Sequence, residues 1–315
     1  MPTEETRLGA IVCSLALGLA ALTAAPAAAP PPRDGLVVTT TWLAQHLTDP
    51  DLVLLHVGDR AEYDARHIPG ARFVSVGDIS VSDRSGKGLT LEMPADDDLR
   101  TRLTGLGISD RSRIVVYYGK DWVSPSTRVI FTLDYAGLGN ATSLLDGGMD
   151  GWTRDGHEVT SVVPPPRTGA LSPIKTRPLV VDAEYVRAHL KTPGTAIVDG
   201  RDTSFYDGIS TGGAKDAPHR TGHIAGARSV PFTSITDDRL KLRSNDELAA
   251  VFTKAGVQPG DTAIAYCHIG QQATAVLFAA RALGYPVLLY DGSFEDWSRH
   301  ADYPVENPAK KDGGR

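Results

Sequence analysis

Short apolar runs alternate along this chain with segments whose apolar residues recur at helical spacing. Val53-Leu-Leu-His-Val57, Arg113-Ile-Val-Val-Tyr-Tyr118, Ala196-Ile-Val-Asp199 and Thr262-Ala-Ile-Ala-Tyr266 have the length and β-branched content of buried strands. Ser244-Asn-Asp-Glu247 is a capping box that predicts the start of a helix, and Gly256 predicts its end. After Cys267, small and apolar residues repeat at helical spacing until Gly284 and Tyr285-Pro286 stop them. Strand and helix in alternation, with strands apolar throughout, predict an α/β fold: a mostly parallel sheet flanked by helices on both faces.

The pattern occurs twice. Val53 to Arg60, Glu62-Tyr63 and His67-Ile-Pro-Gly-Ala-Arg72 return as Ala196 to Arg201, Phe205-Tyr206 and His223-Ile-Ala-Gly-Ala-Arg228. The helix-then-strand unit Leu99 to Tyr118 returns as Leu248 to Cys267, and Leu144-Leu-Asp-Gly-Gly-Met-Asp-Gly-Trp152 returns as Leu289-Tyr-Asp-Gly-Ser-Phe-Glu-Asp-Trp297. Three matches in the same order mean two copies of one domain. They divide the chain into residues 36–160, a Pro- and Gly-containing linker at 161–178, residues 179–306, and a polar tail at 307–315. The Asp-Gly pairs at 146–147 and 291–292 read as turns at strand ends, and Trp152 and Trp297 as core residues.

Residues 1–29 differ from the rest. Leu8 to Ala25 is apolar apart from Ser14 and Thr23, and Ala25-Pro-Ala27 offers a small-residue cleavage site. The segment reads as a secretory signal or, if uncleaved, a single-span anchor, although Glu4 and Glu5 outnumber Arg7 in front of it. Either way the folded part is expected outside the cytoplasm, periplasmic or extracellular. Membrane association is expected only for the uncleaved form. The 315 residues carry a net charge of −6, with Lys and Arg scattered singly, so no nucleic-acid partner is expected.

Export changes the meaning of cysteine. Cys13 falls within the apolar segment, so Cys267 has no intramolecular partner, and an unpaired cysteine in an exported protein points to chemistry or an intermolecular bond. It stands where a strand runs into a short loop and then a helix. Free backbone N–H groups and the positive end of the helix dipole favour thiolate there, and Gly270 permits a tight curl in Cys267-His-Ile-Gly-Gln-Gln272. In a parallel sheet, ligands gather at the carboxyl ends of strands, where Cys267 lies.

These motifs resemble those of the tandem-domain rhodanese family over roughly residues 36–306. The resemblance implies two rhodanese-like domains, the second catalytic and the first degenerate, with Tyr118 in the first copy's cysteine position. It implies sulfur transfer: Cys267 takes the outer sulfur of a donor such as thiosulfate, holds it as a persulfide, and passes it to a thiophilic acceptor, a small molecule or an acceptor protein. It places Arg201 beside the anionic donor, where a structural ion pair with a nearby carboxylate is the competing role, and it assigns His268, Ile269, Gly270, Gln271 and Gln272 to the loop around the sulfur. No cofactor is implied. His268-Ile269 matches neither the basic pair of thiosulfate-preferring relatives nor the small residues of those preferring 3-mercaptopyruvate. His268 is expected either partly protonated and assisting, or pointing to solvent. A non-catalytic sulfur carrier or redox sensor is the other reading. A cysteine-dependent phosphatase would need an Arg six positions after the cysteine, where this chain has Ala273. His219 and His223 stand four apart, but without a third ligand they do not make a metal site, and His67 and His223 are expected to bond backbone groups. Trp122 and Pro125 suggest a filled or reshaped loop in the first copy.

Overall fold

A computed structural model describes residues 33–83, 85, 88–120, 123–215 and 217–312. The N-terminal apolar segment and Trp122 lie outside the described residues. The first half contributes β1 (Val37–Val38), β2 (Leu52–Val57), β3 (Arg72–Phe73), β4 (Arg113–Tyr118) and β5 (Thr142–Leu145), which form a sheet in the order β1-β5-β4-β2-β3 with every pairing parallel. The second half contributes β6 (Val180–Val181), β7 (Thr195–Asp199), β8 (Gly213–Ala214), β9 (Ala217–Pro218), β10 (His223–Ile224), β11 (Arg228–Ser229), β12 (Thr262–Tyr266), β13 (Val287–Tyr290) and β14 (Val305–Glu306). Its sheet runs β11-β7-β12-β13-β6, again all parallel, the same topology read from the other edge. The antiparallel pairs β8–β9 and β10–β14 stand apart from it.

Local sequence signals explain the element ends. The Ser244 hydroxyl accepts from Glu247 N while the Glu247 carboxylate accepts from Ser244 N, and Gly256 closes the helix at φ +83°. Trp152 and Trp297 are fully buried, and the linker is fastened rather than free: Gly169 N donates to Thr104 O, and a β-carbon on Gly169 would sit 1.9 Å from the Ile108 carbonyl oxygen.

The two halves share one apolar core. Helix Val123–Tyr135 of the first copy packs against helix Gln271–Ala282 of the second, and a single cluster of buried side chains runs from Leu36 and Val116 through Ile130 to Val276 and Cys267. Thr127 and Thr274 meet hydroxyl to hydroxyl at 3.1 Å, and Arg281 pairs with Asp134 at 3.0 Å. Matching the two threonines also matches Asp134 to Arg281, so the helices lie as equivalents about a local pseudo-twofold.

Candidate active site

Cys267 follows the last residue of β12, the central strand of the second sheet, and its loop ends at Gly270, which takes φ +80° as the N-cap of helix Gln271–Ala282. A side chain at 270 would be strained by that φ and would also meet Asp291 and Arg128 within 3 Å. The loop's carbonyls are tied outward: Cys267 O accepts from Phe294 N and His268 O from Glu295 N, both at 3.0 Å, and Gly270 O accepts from Arg128 Nη1 at 3.2 Å. Among the described residues the N–H groups of His268 to Gln272 have no protein partner, which leaves a row of donors on the loop's other side, reinforced by the helix dipole.

The sulfur sits deep. Cys267 has no exposed surface, and its neighbours His268 and Ile269 help line a cleft of about 650 Å³. Asp83, Gly88 and Thr90 of the first copy form part of the opposite wall, with Glu295 and Arg299 between, so the first copy helps enclose the cleft. The Glu295 carboxylate is fixed by Thr90 N at 3.0 Å and by Arg299 at 3.2 Å.

His268 takes neither expected posture. Burial first, then the Arg201 charge and His219, lowers its pKa to about 4, so it is neutral at pH 7; its ring packs edge-on against Phe205 at 4.5 Å instead of projecting into water. His219, also shifted down chiefly by burial, lines the same cleft. His223 is elsewhere, with Nδ1 on the Tyr206 carbonyl and Nε2 on the Glu306 carboxylate, while both nitrogens of His67 meet carbonyls.

Arg201 is 1% exposed and locked to Asp199 through Nε at 2.9 Å and Nη2 at 2.6 Å, with Nη2 also donating to Gly222 O. The ion pair is therefore real, and it excludes Arg201 from acting as a free surface cation. Burial works against its charge, but the Asp199 carboxylate bonded to it holds its pKa above the ordinary value. Its Nη1 makes no hydrogen bond among the described residues, and the guanidinium lies 4.1 Å over the Phe294 ring. Gln271 reaches across to Ser124 Oγ of the first copy at 3.4 Å, and Gln272 Oε1 is buried without a protein partner.

Two groups escaped the sequence reading. Ser293, fully buried with φ +53°, accepts from Cys267 N at 3.1 Å and donates to Tyr290 O, so it pins the residue that bears the sulfur. Asp291 was expected only as a turn residue; it also forms a buried ion pair with Arg128 at 2.5 Å and accepts from Met93 N. The positive-φ Ser in Asp291-Gly-Ser293 had no local signal beyond the turn itself.

The profile of the Rhodanese-like domain matches residues 39–155 and 182–300. The chain is similar to thiosulfate sulfurtransferase of Pseudomonas aeruginosa, 32% identical over 86% of this chain and 97% of that one, and to thiosulfate sulfurtransferase of Rattus norvegicus, 31% identical over 84% and 92%. It is also similar to 3-mercaptopyruvate sulfurtransferase of Escherichia coli, 29% identical over 85% and 97%. Among solved structures, YnjE superposes with a TM-score of 0.77 at 24% identity over 88% of this chain and 69% of that one. An anaerobic ergothioneine biosynthesis enzyme from Chlorobium limicola superposes with a TM-score of 0.75 at 22% identity over 87% and 70%; both are likenesses of fold. With two domain matches in tandem and relatives that align along most of their length, the chain belongs to the rhodanese family and is a sulfurtransferase.

Proposed function

We propose that Cys267 shuttles a sulfane sulfur from a small anionic donor, thiosulfate first, to a thiophilic acceptor. The thiolate attacks the outer sulfur of thiosulfate; the S–S bond of the donor breaks, sulfite leaves with the electron pair, and a persulfide remains on the enzyme. An acceptor nucleophile then attacks the outer persulfide sulfur and returns the Cys267 thiolate, a ping-pong cycle. The carrying observation is the row of unpartnered N–H groups from His268 to Gln272 on the loop that starts at the protein's one cysteine outside residues 1–29. Such donors stabilise the thiolate, the persulfide and the charge that develops between them. Because His268 is neutral, fixed positive charge comes from the helix dipole and from Arg201, whose charge Asp199 partly offsets.

Cys267→Ser is expected to lose thiosulfate-to-cyanide transfer entirely, and the wild type treated with thiosulfate should gain one sulfur by mass while the variant gains none. Turnover by the variant would overturn the assignment. Steady-state rates with thiosulfate against 3-mercaptopyruvate decide the donor, and a persulfide that forms without turnover would make the protein a carrier.

Export belongs to the same proposal: Leu8 to Ala25 directs the chain out of the cytoplasm, where cleavage near Ala27 frees the folded part. Among the described residues no helix is long and apolar enough to cross a membrane. Fractionation with mass measurement of the N-terminus tests it, and an intact N-terminus on cytoplasmic protein would count against it.

A further inference from the structure

We propose that Arg128, supplied by the catalytically degenerate first copy, is a positioning residue that aims the sulfur-carrying loop of the second. A trans peptide unit is planar, and its C=O and N–H point in opposite directions. Whatever holds a carbonyl on one side of the loop therefore fixes the following N–H on the other. Phe294 N and Glu295 N do this for the peptides that end in His268 N and Ile269 N. The Gly270 carbonyl is held by Arg128 Nη1, and its peptide ends in Gln271 N, the first N–H of the helix. That N–H has no protein partner among the described residues and belongs to the group of donors that serve the anion.

The guanidinium is itself held with little freedom. Arg128 is fully buried, paired to Asp291 at 2.5 Å, with Nη2 donating to Leu91 O, and Asp291 is steadied by Met93 N. Its Nε has no protein partner among the described residues. A buried ion pair is a poor stabiliser compared with apolar residues of similar volume, and an orphaned donor worsens the balance, so stability alone is a weak reason for this arrangement. Gly270 fits it from the other side, because any β-carbon there would strike both Asp291 and Arg128. The clamp also runs one way: matching Thr127 to Thr274 puts Ala275 where a reciprocal arginine would stand. The active site is thereby composite, with its chemistry on one copy and one of its supports on the other.

The inference rests on Cys267 being the sulfur carrier, and the test separates the two. Arg128→Met with Asp291→Asn removes both charges and retains an acceptor for Met93 N; Arg128→Lys keeps charge without the planar fork. The alkylation rate of Cys267 by iodoacetamide against pH reads the loop's donors whether or not sulfur transfer occurs. In both variants that rate is expected to fall at neutral pH, about tenfold in the double variant. With thiosulfate and cyanide, kcat should drop about ten- to a hundredfold while KM stays within about threefold, the pattern of misaimed donors. A folded double variant with the wild-type alkylation profile and kcat would reduce Arg128 to a structural residue and overturn the proposal; should the double variant not fold, the same result in Arg128→Lys would do so. Wild-type protein that shows no turnover would instead defeat the sulfur-transfer reading and leave the alkylation arm standing.

Discussion

The two copies diverge most sharply at the end of their central strands. In the second, Tyr266 faces Asp199 across the sheet, its hydroxyl donating to the carboxylate that also holds Arg201, and Cys267 comes next. In the first, Tyr117 faces His56, and both nitrogens of that fully buried ring lack a protein partner among the described residues. Gly58 stands two residues beyond His56, as Arg201 stands two beyond Asp199, so acid and base are both gone. Where Ser293 pins Cys267, Gly148 adopts the same φ of +53° and makes room: a β-carbon there would lie 2.5 Å from the Tyr118 ring. One N–H of the first copy's loop is taken as well: Lys120 N donates to the Glu62 carboxylate. The two loops thus differ by more than one cysteine. Nucleophile, pin, ion pair and free N–H all differ, and the cysteine's position in the first copy is a strut, with the Tyr118 hydroxyl donating to Leu240 O of the other copy at 2.6 Å.

The largest effect expected from the first copy comes from His56. Burial, then the charge of His67, depresses its pKa from 6.5 to about 4. Between those values the unfolded chain binds the proton that the folded chain refuses, so stability is intact above pH 6.5 and is lost as pH falls. His56→Phe should erase that loss, gaining on the order of 2 to 3 kcal/mol over wild type at pH 4.5 compared with pH 7.5. Glu92, whose carboxyl burial lifts to about 7, tilts stability the other way between 4.5 and 7, but it is common to both proteins and cancels in the difference. Urea unfolding of the pair across this range reads it; a difference independent of pH would mean His56 charges freely. Next comes Gly148→Ala, expected to cost about 2 kcal/mol through overpacking on Tyr118 and a left-handed backbone, with Tyr118→Ala alongside it recovering part. Thermal unfolding of single and double variants would show whether that coupling exists. Smallest is Tyr118→Phe: about 1 kcal/mol from one hydrogen bond, leaving Leu240 O short of a donor. If it lowered kcat more than stability, the first copy would have a closer part in the chemistry than strut and clamp.

Much of this was legible in one dimension because the decisive signals are local. Strand periodicity, the Ser244–Glu247 cap, Gly270 before a helix and the repeated motifs each depend on a few adjacent residues. Even so, letters alone set Arg60 near Arg201, whereas strand pairing sets Gly58 there. What stayed hidden is long in range. Arg128 and Asp291 are 163 positions apart, and nothing near either predicts the pair. Ser293 looked like turn filler because its bond to Cys267 N depends on a backbone angle that sequence does not display. The state of His268 depends on Phe205, Arg201 and His219 arriving around it, so residue type left its protonation open.

The apolar cluster that runs unbroken from Leu36 to Cys267 carries a final implication. Heat or denaturant is expected to meet one cooperative body, not two beads on a string, so the packing that holds the first copy together also backs the helix behind Cys267.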